Sequence, residues 1–116
     1  MKAAELVSHN ISSLRTSDTG STALHLMNVF HVTHLPIVND QQLLGLISEE
    51  GILNAHGEEE AVGNLPLSLS RPFVHDYEHL FEVLKAASEY RLTVIPVIDK
   101  QDTFLGVITR ADLLNY

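Results

Sequence analysis

The sequence predicts an α+β fold built from two pseudo-symmetric repeats, each a three-stranded sheet with flanking helices, packed together as one domain. Three observations predict it. The stretch 33–53, THLPIVNDQQLLGLISEEGIL, returns as 93–114, TVIPVIDKQDTFLGVITRADLL, with Pro36 and Pro96 60 residues apart. Beyond a one-residue insertion, Gly45 and Gly106 lie 61 apart, as do Ser48 and Thr109. Two copies indicate a pair that buries its apolar faces mutually and exclude a long solenoid. Each copy also holds two short apolar runs joined by a polar turn, the pattern of a hairpin. Finally, 116 residues suffice for one compact domain and fall short of two independent ones.

In chain order, residues 2–7 (KAAELV) read as a short helix leading into the first repeat, and residues 11–16 as an extended segment. The Asp18-Thr19-Gly20-Ser21 cluster enters a helix capped by Thr19 or Ser21. Ala23, Leu24, Met27 and Phe30 keep helical spacing from there to about Val32. The hairpin follows, with turns at 39–42 and 99–103 that read as longer than the tightest two-residue type. Residues 49–54 form another helix, and 56–60 (HGEEE) a solvated turn. The repeats divide as residues 1–60 and 61–116. Two prolines confine the stretch 63–72 to an irregular or extended path. Asp76 is placed to cap the next helix, 77–90, with Leu80, Phe81, Val83, Leu84 and Ala87 on its buried side. Thr109 starts the last helix, as Ser48 starts its counterpart.

Composition removes several functions. A net charge of −8 carries no basic footprint, which argues against a nucleic acid polymer as partner. No apolar run approaches the roughly 20 residues of a membrane span, and residues 1–10 lack a secretory signal's apolar core. The absence of cysteine removes thiolate catalysis, disulfides and cysteine–metal sites, in keeping with a cytoplasmic protein. Of the seven histidines, His31 and His34 are the pair spaced to converge, yet no carboxylate stands at a matching offset and no metal site is assigned. No nucleophile elbow, P-loop or dinucleotide-binding glycine motif occurs, so no catalytic residue is assigned and the chain is not read as an enzyme.

Thr109 and Asp112 suit a specific target. A carboxylate offers two acceptor oxygens, which match the two vicinal hydroxyls of a ribose, and Thr109 sits one turn earlier on the same helix start. Arg110, between them, carries a charge suited to phosphate. The structural alternative makes Thr109 a simple cap and Asp112 a favourable first-turn acid.

The motifs Leu35-Pro36-Ile37-Val38 with Gly45-Leu46-Ile47-Ser48, and Ile95-Pro96-Val97-Ile98-Asp99 with Gly106-Val107-Ile108-Thr109-Arg110-Ala111-Asp112, resemble the cystathionine-β-synthase (CBS) domain family. Two tandem CBS motifs form a Bateman module, and the resemblance covers about residues 3–114. It implies a regulatory module that binds an adenosine-containing nucleotide, or an S-adenosylmethionine-like compound, in a cleft between the repeats. No required cofactor is implied. Thr109 and Asp112 would hold the ribose. Ile11 and Ser12, with Val32 and Thr33, would hold the adenine, and Thr93 would lie near the phosphates. The resemblance also implies a homodimer and an effector protein or fused domain that reads the ligand. The first repeat departs from the pattern, because Gly51 stands where Asp112 does and Glu49 where Arg110 does. Its cleft is expected to be degenerate. The alternative function is a dimerisation module whose clefts hold nothing.

Overall fold

The computed structural model describes residues 1–67 and 73–114, and the chain divides into two compact units, Ser12–Arg71 and Met1–Ile11 with Pro72–Tyr116. Residues 68–72 of the stretch expected to be irregular lie outside the described residues.

In Ser12–Arg71, α1 (Gly20–Phe30) starts directly after Thr19, one of the two expected caps. Thr19 caps it, its hydroxyl accepting from the Thr22 N–H at 3.2 Å. Two further N–H groups of the first turn, Gly20 and Ser21, donate to the carbonyls of Glu60 and Glu58. The acidic turn at 56–60 is therefore more than a solvated loop, because its backbone closes the start of α1. Gly20 permits that approach, since a Cβ there would overlap the Gly57 carbonyl. The helix buries Ala23 and Met27 and ends at His31, which adopts a left-handed φ of 57°.

Strands β1 (His34–Asn39) and β2 (Gln42–Ser48) pair antiparallel from His34↔Ser48 to Asn39↔Gln42. Only Asp40 and Gln41 remain in the loop, with φ of 50° and 67°. This corrects the expected longer turn: two successive positive φ values follow the twist of the flanking strands. The third strand of this sheet is reduced to one parallel bridge, Leu14↔Ile37, in which Leu14 donates to Pro36 O and accepts from Val38 N, both at 2.8 Å. Leu14, Leu35, Ile37, Leu46 and Ile47, with Ile52 of α2 (Glu49–Asn54), are almost completely buried. Each such side chain stabilises the unit by about 1.5–3 kcal/mol.

The other unit repeats this plan in a three-stranded sheet ordered β3 (Val74–His75), β4 (Val94–Ile98), β5 (Phe104–Thr109). Val74↔Val97 is the parallel contact equivalent to Leu14↔Ile37, 60 residues on at both partners. The inserted residue falls in the β4–β5 loop, where Asp99 Oδ1 accepts from Gln101 N at 2.8 Å and Thr103 N at 2.9 Å. A short acidic side chain that bonds the backbone ahead of it organises a wider turn without glycine.

Helix α3 (Leu80–Tyr90) is capped by His79, whose Nδ1 accepts from Phe81 N at 3.0 Å, and not by Asp76. Leu80 and Val83 are buried, but Phe81 and Leu84 are 66% and 46% exposed, against the expected stripe. At 100° per residue they turn onto the stripe that continues through Ser88 and Arg91. The last helix is α4 (Arg110–Leu114).

Residues 2–7 contain a 3₁₀ turn, Ala3–Glu5, in place of the expected helix, and they pack on this second-repeat unit. Ala3 and Ala4 donate to the carbonyls of Glu78 and Asp76. Ser8 exchanges hydrogen bonds with Val107 at 2.7 and 3.2 Å, extending the sheet beyond β5. Gly106 leaves room for this segment, because a Cβ would lie 2.6 Å from Ser8 O.

Candidate functional site

The start of α4 is a reciprocal cap. Asp112 N donates to Thr109 Oγ1 at 3.0 Å, and Asp112 Oδ2 accepts from Thr109 N at 3.1 Å. The sequence places a hydroxyl and an acid three residues apart after a strand, the spacing at which each side chain reaches the other's backbone. Both residues are half-buried. The cap uses one carboxylate oxygen of Asp112 and one lone pair of Thr109. Oδ1 makes no hydrogen bond among the described residues, and the Thr109 hydroxyl keeps its proton to donate. The structural and ligand readings of this pair are thus compatible in the geometry, because the cap holds the two side chains on one side of the helix start with an acceptor and a donor to spare.

The equivalent turn in the first repeat is built on the same backbone with half the side chains. Ser48 Oγ accepts from Gly51 N at 2.9 Å, and nothing returns from position 51. Glu49 N donates to Thr33 O at 2.9 Å, as Arg110 N donates to Thr93 O at 2.9 Å. Equal bonds at equivalent places show that the two helix starts share one backbone geometry and differ in chemistry. One turn presents an acid in a cap with an arginine beside it. The other presents Glu49 and Glu50, both exposed, beside Ser48.

The remaining expected residues are distributed as follows. Thr93 is half-buried beneath the start of α4 through its carbonyl bond. Ile11 ends the N-terminal segment of the same unit and is half-buried. Ser12, Val32 and Thr33 belong to the other unit. Val32 is buried, its N–H donating to Met27 O at 3.0 Å, so it offers little beyond backbone. Ser12 and Thr33 are exposed, and Thr33 Oγ1 lies 3.2 Å from His34 Nδ1. Arg110 is exposed and lies between Thr109 and Asp112 in the chain. It lines a groove of about 480 Å³ with Leu84, Ala87, Arg91, Leu113 and Leu114. A second groove, of about 500 Å³, lies at Thr33, His34, Ser48, Glu49, Glu50 and Leu53. Sequence reasoning overlooked Arg91. Its signal was the 60-residue offset from His31, since both residues end their helices in the left-handed conformation.

His31 and His34 are divided by this geometry, His31 being an exposed helix end and His34 a half-buried strand residue. Burial pushes the His34 imidazole below its ordinary pKa. Among the described residues, no three His, Asp or Glu side chains gather where a metal ion would be held. Among the same residues, no helix is long and apolar enough to cross a membrane.

Comparison with known proteins fits this repeated architecture. The sequence profile of the CBS domain matches twice, at residues 3–58 and 62–116, and the chain belongs to the CBS domain family as a tandem pair. Among curated relatives, the homoserine O-acetyltransferase of Methanococcus vannielii is 25% identical over 117 residues, 95% of this chain but 23% of the relative. The chain thus spans under a quarter of that enzyme's length. Among solved structures, a CBS domain pair/ACT domain protein from Thermotoga maritima superposes with a TM-score of 0.87 at 22% identity, covering 99% of this chain and 94% of the other. CBSX2, solved in complex with AMP, superposes at 0.80 with 22% identity, over 98% and 93% of the two chains. At these identities the structural likeness establishes the fold.

Proposed function

We propose that this tandem CBS pair is a non-catalytic, cytoplasmic regulatory module that binds an adenine nucleotide or a related adenosyl ligand through the start of α4. The observation that carries the reading is the reciprocal Thr109–Asp112 cap, with Asp112 Oδ1 and the Thr109 hydroxyl proton left available. Asp112 accepts from the ribose hydroxyls and Thr109 donates to the ribose or a phosphate. Thr93 lines the phosphate side. Ile11, Ser12, Val32 and Thr33 supply the adenine contacts, Val32 through its backbone. The AMP complex of CBSX2 supports the ligand class. Arg110, exposed at the same helix start, supplies positive charge toward the phosphates.

Two copies of the chain pair into a homodimer, supported by the exposed apolar side chains Phe81, Leu84 and Leu114. The signal passes to an effector protein or fused domain, a reading supported by the enzyme relative that carries a similar stretch in less than a quarter of its length. A ligand shifts such a module only by binding one of its geometries better than another.

Thermal melting of the chain with AMP, ADP, ATP, S-adenosylmethionine and NAD tests the proposal. A ligand at 100 times its dissociation constant is expected to add about 2.7 kcal/mol of stability. Unchanged melting across the whole panel would overturn nucleotide sensing and leave a dimerisation scaffold.

A further inference from the structure

We infer that the groove between α3 and α4 is a ligand site in its own right, which takes a small amphiphilic monoanion, a carboxylate on an aliphatic chain. The groove has a volume of about 480 Å³, within the ~300–1,000 Å³ of small-molecule sites. It lies wholly within the unit formed by Met1–Ile11 and Pro72–Tyr116. This site is separate from the nucleotide reading, since neither Thr109 nor Asp112 lines the groove. Leu84 and Leu114, both exposed, and the half-buried Leu113 give it apolar sides. Exposed leucines collected in one groove mark a surface that binds.

Charge selects the head of the ligand. Two of the chain's seven Lys and Arg residues, Arg91 and Arg110, line this one groove, and among the described residues no Asp or Glu lines it. Neither guanidinium has a hydrogen bond or an ion pair with another side chain, the ion pair found among the described residues being His75–Glu78. Like charges drawn to one concave surface repel unless an anion lies between them, and the guanidinium fork is shaped for a carboxylate. Ser88 adds a hydroxyl donor beside them. Arg91 ends α3 in the left-handed conformation, with φ of 53°, which glycine adopts without strain. That helix end would therefore close at least as well with glycine. A net charge of −8 sets the charge of the ligand, because a single carboxylate is met by the two guanidiniums while a more highly charged head is repelled by the rest of the chain. The groove at α2, of about 500 Å³, is lined by Glu49 and Glu50 and is expected to take no anion.

Calorimetric titration of the full chain with octanoate tests this, with octanamide as the neutral counterpart of the same length. One octanoate per chain is expected, and octanamide is expected to bind at least about tenfold more weakly, the head charge being the difference. Hexanoate, octanoate and decanoate are expected to tighten in that order, by about two- to fourfold per added methylene. Arg91→Gly carries the main test, because Arg110 also stands beside the proposed phosphates. It is expected to weaken octanoate at least about tenfold while its urea midpoint stays at or above the parent value, which separates binding from folding. Arg91→Lys, which keeps the charge, is expected to recover most of the affinity. Leu114→Ser is expected to flatten the chain-length series. Equal binding of octanoate and octanamide would reduce the groove to an apolar patch and overturn the inference, as would octanoate binding unchanged in Arg91→Gly. Absence of octanoate binding would also overturn it and, where Leu114→Ser dissociates a dimer of the parent chain, would give the groove to a second copy.

Discussion

The two helix starts at Ser48 and Thr109 share one backbone, and at the third helical position one has Gly51 where the other has Asp112. At Thr109 the hydroxyl and the acid answer each other, with bonds of 3.0 and 3.1 Å. At Ser48 the hydroxyl bonds Gly51 N at 2.9 Å and receives nothing back. The fold therefore tolerates loss of the acid, since Ser48 alone closes its turn. The oxygen of Asp112 that the cap leaves unused is the one the proposed ribose contact calls on.

The largest expected effect breaks this contrast at Asp112. Hydrogen bonds to a charged group contribute about 1.5–3 kcal/mol. Asp112→Ala is therefore expected to weaken nucleotide binding roughly ten- to hundredfold, at about 1.4 kcal/mol per factor of ten. It also removes the returning bond of the cap while Thr109 Oγ1 still accepts from the N–H of residue 112, so the chain is expected to lose less than the roughly 1 kcal/mol of a whole cap. Asp112→Asn separates the two roles. Its amide oxygen still accepts from Thr109 N, so most of the stability is retained while the charge and one acceptor are lost to the ribose. Calorimetric titration and urea unfolding of both variants decide between them. Equal binding by Asp112→Asn and the parent, or two equivalent nucleotide sites per chain, would refute the assignment.

This pair was legible in the sequence because its spacing is local: three residues separate Thr109 from Asp112, and a strand motif precedes them. The repeat was legible for the same reason, as Pro36 and Pro96 or Gly45 and Gly106 keep their offsets through both hairpins. What escaped depends on contacts distant in the chain or on partners outside it. Ser8 pairs with Val107 on the second-repeat unit, a choice made by the room above Gly106 and not by any periodicity in residues 2–7. Leu84 keeps perfect helical spacing yet is exposed, because an apolar stripe records that a face is covered and not what covers it. The Asp40–Gln41 turn needs two positive φ values without a glycine to announce them. The acidic run 56–60 signals solvent through its side chains, while its backbone closes α1.

A smaller effect sharpens the contrast from the other side. Gly51→Asp places an acid at the position equivalent to Asp112, where a Cβ would lie 3.0 Å from Ser48 Oγ and requires a shift of a few tenths of an ångström. Replacing a helical glycine recovers about 0.5 kcal/mol, and the reciprocal bond to Ser48 N completes the cap. The variant is expected to be slightly more stable in urea unfolding. It is not expected to gain a second nucleotide site, because Glu49 and Glu50 remain exposed at the same turn and repel phosphate. A second site appearing in calorimetric titration of Gly51→Asp would show that the acid alone distinguishes the repeats.

The smallest effect is a pH slope from position 34, where the first repeat has a half-buried histidine and the second has the buried Val94. Burial lowers the His34 pKa in the folded chain below its ordinary value of 6.5. Between the folded and unfolded values, the unfolded chain binds more protons, so stability rises with pH across that window. The contribution is complete above about pH 6.5 and is lost as pH falls through the folded pKa. His34→Val, which makes the two repeats alike at this position, removes a group that must be desolvated and is expected to flatten the stability profile on the acid side of neutrality. Thr33 Oγ1 loses its 3.2 Å neighbour at His34 Nδ1 in that variant, but Thr33 is exposed and water replaces the contact. Urea midpoints measured from pH 5 to pH 8 give the comparison directly. Parallel profiles for parent and variant would show that His34 titrates alike in both states, and that the repeats differ at this position in packing but not in proton linkage.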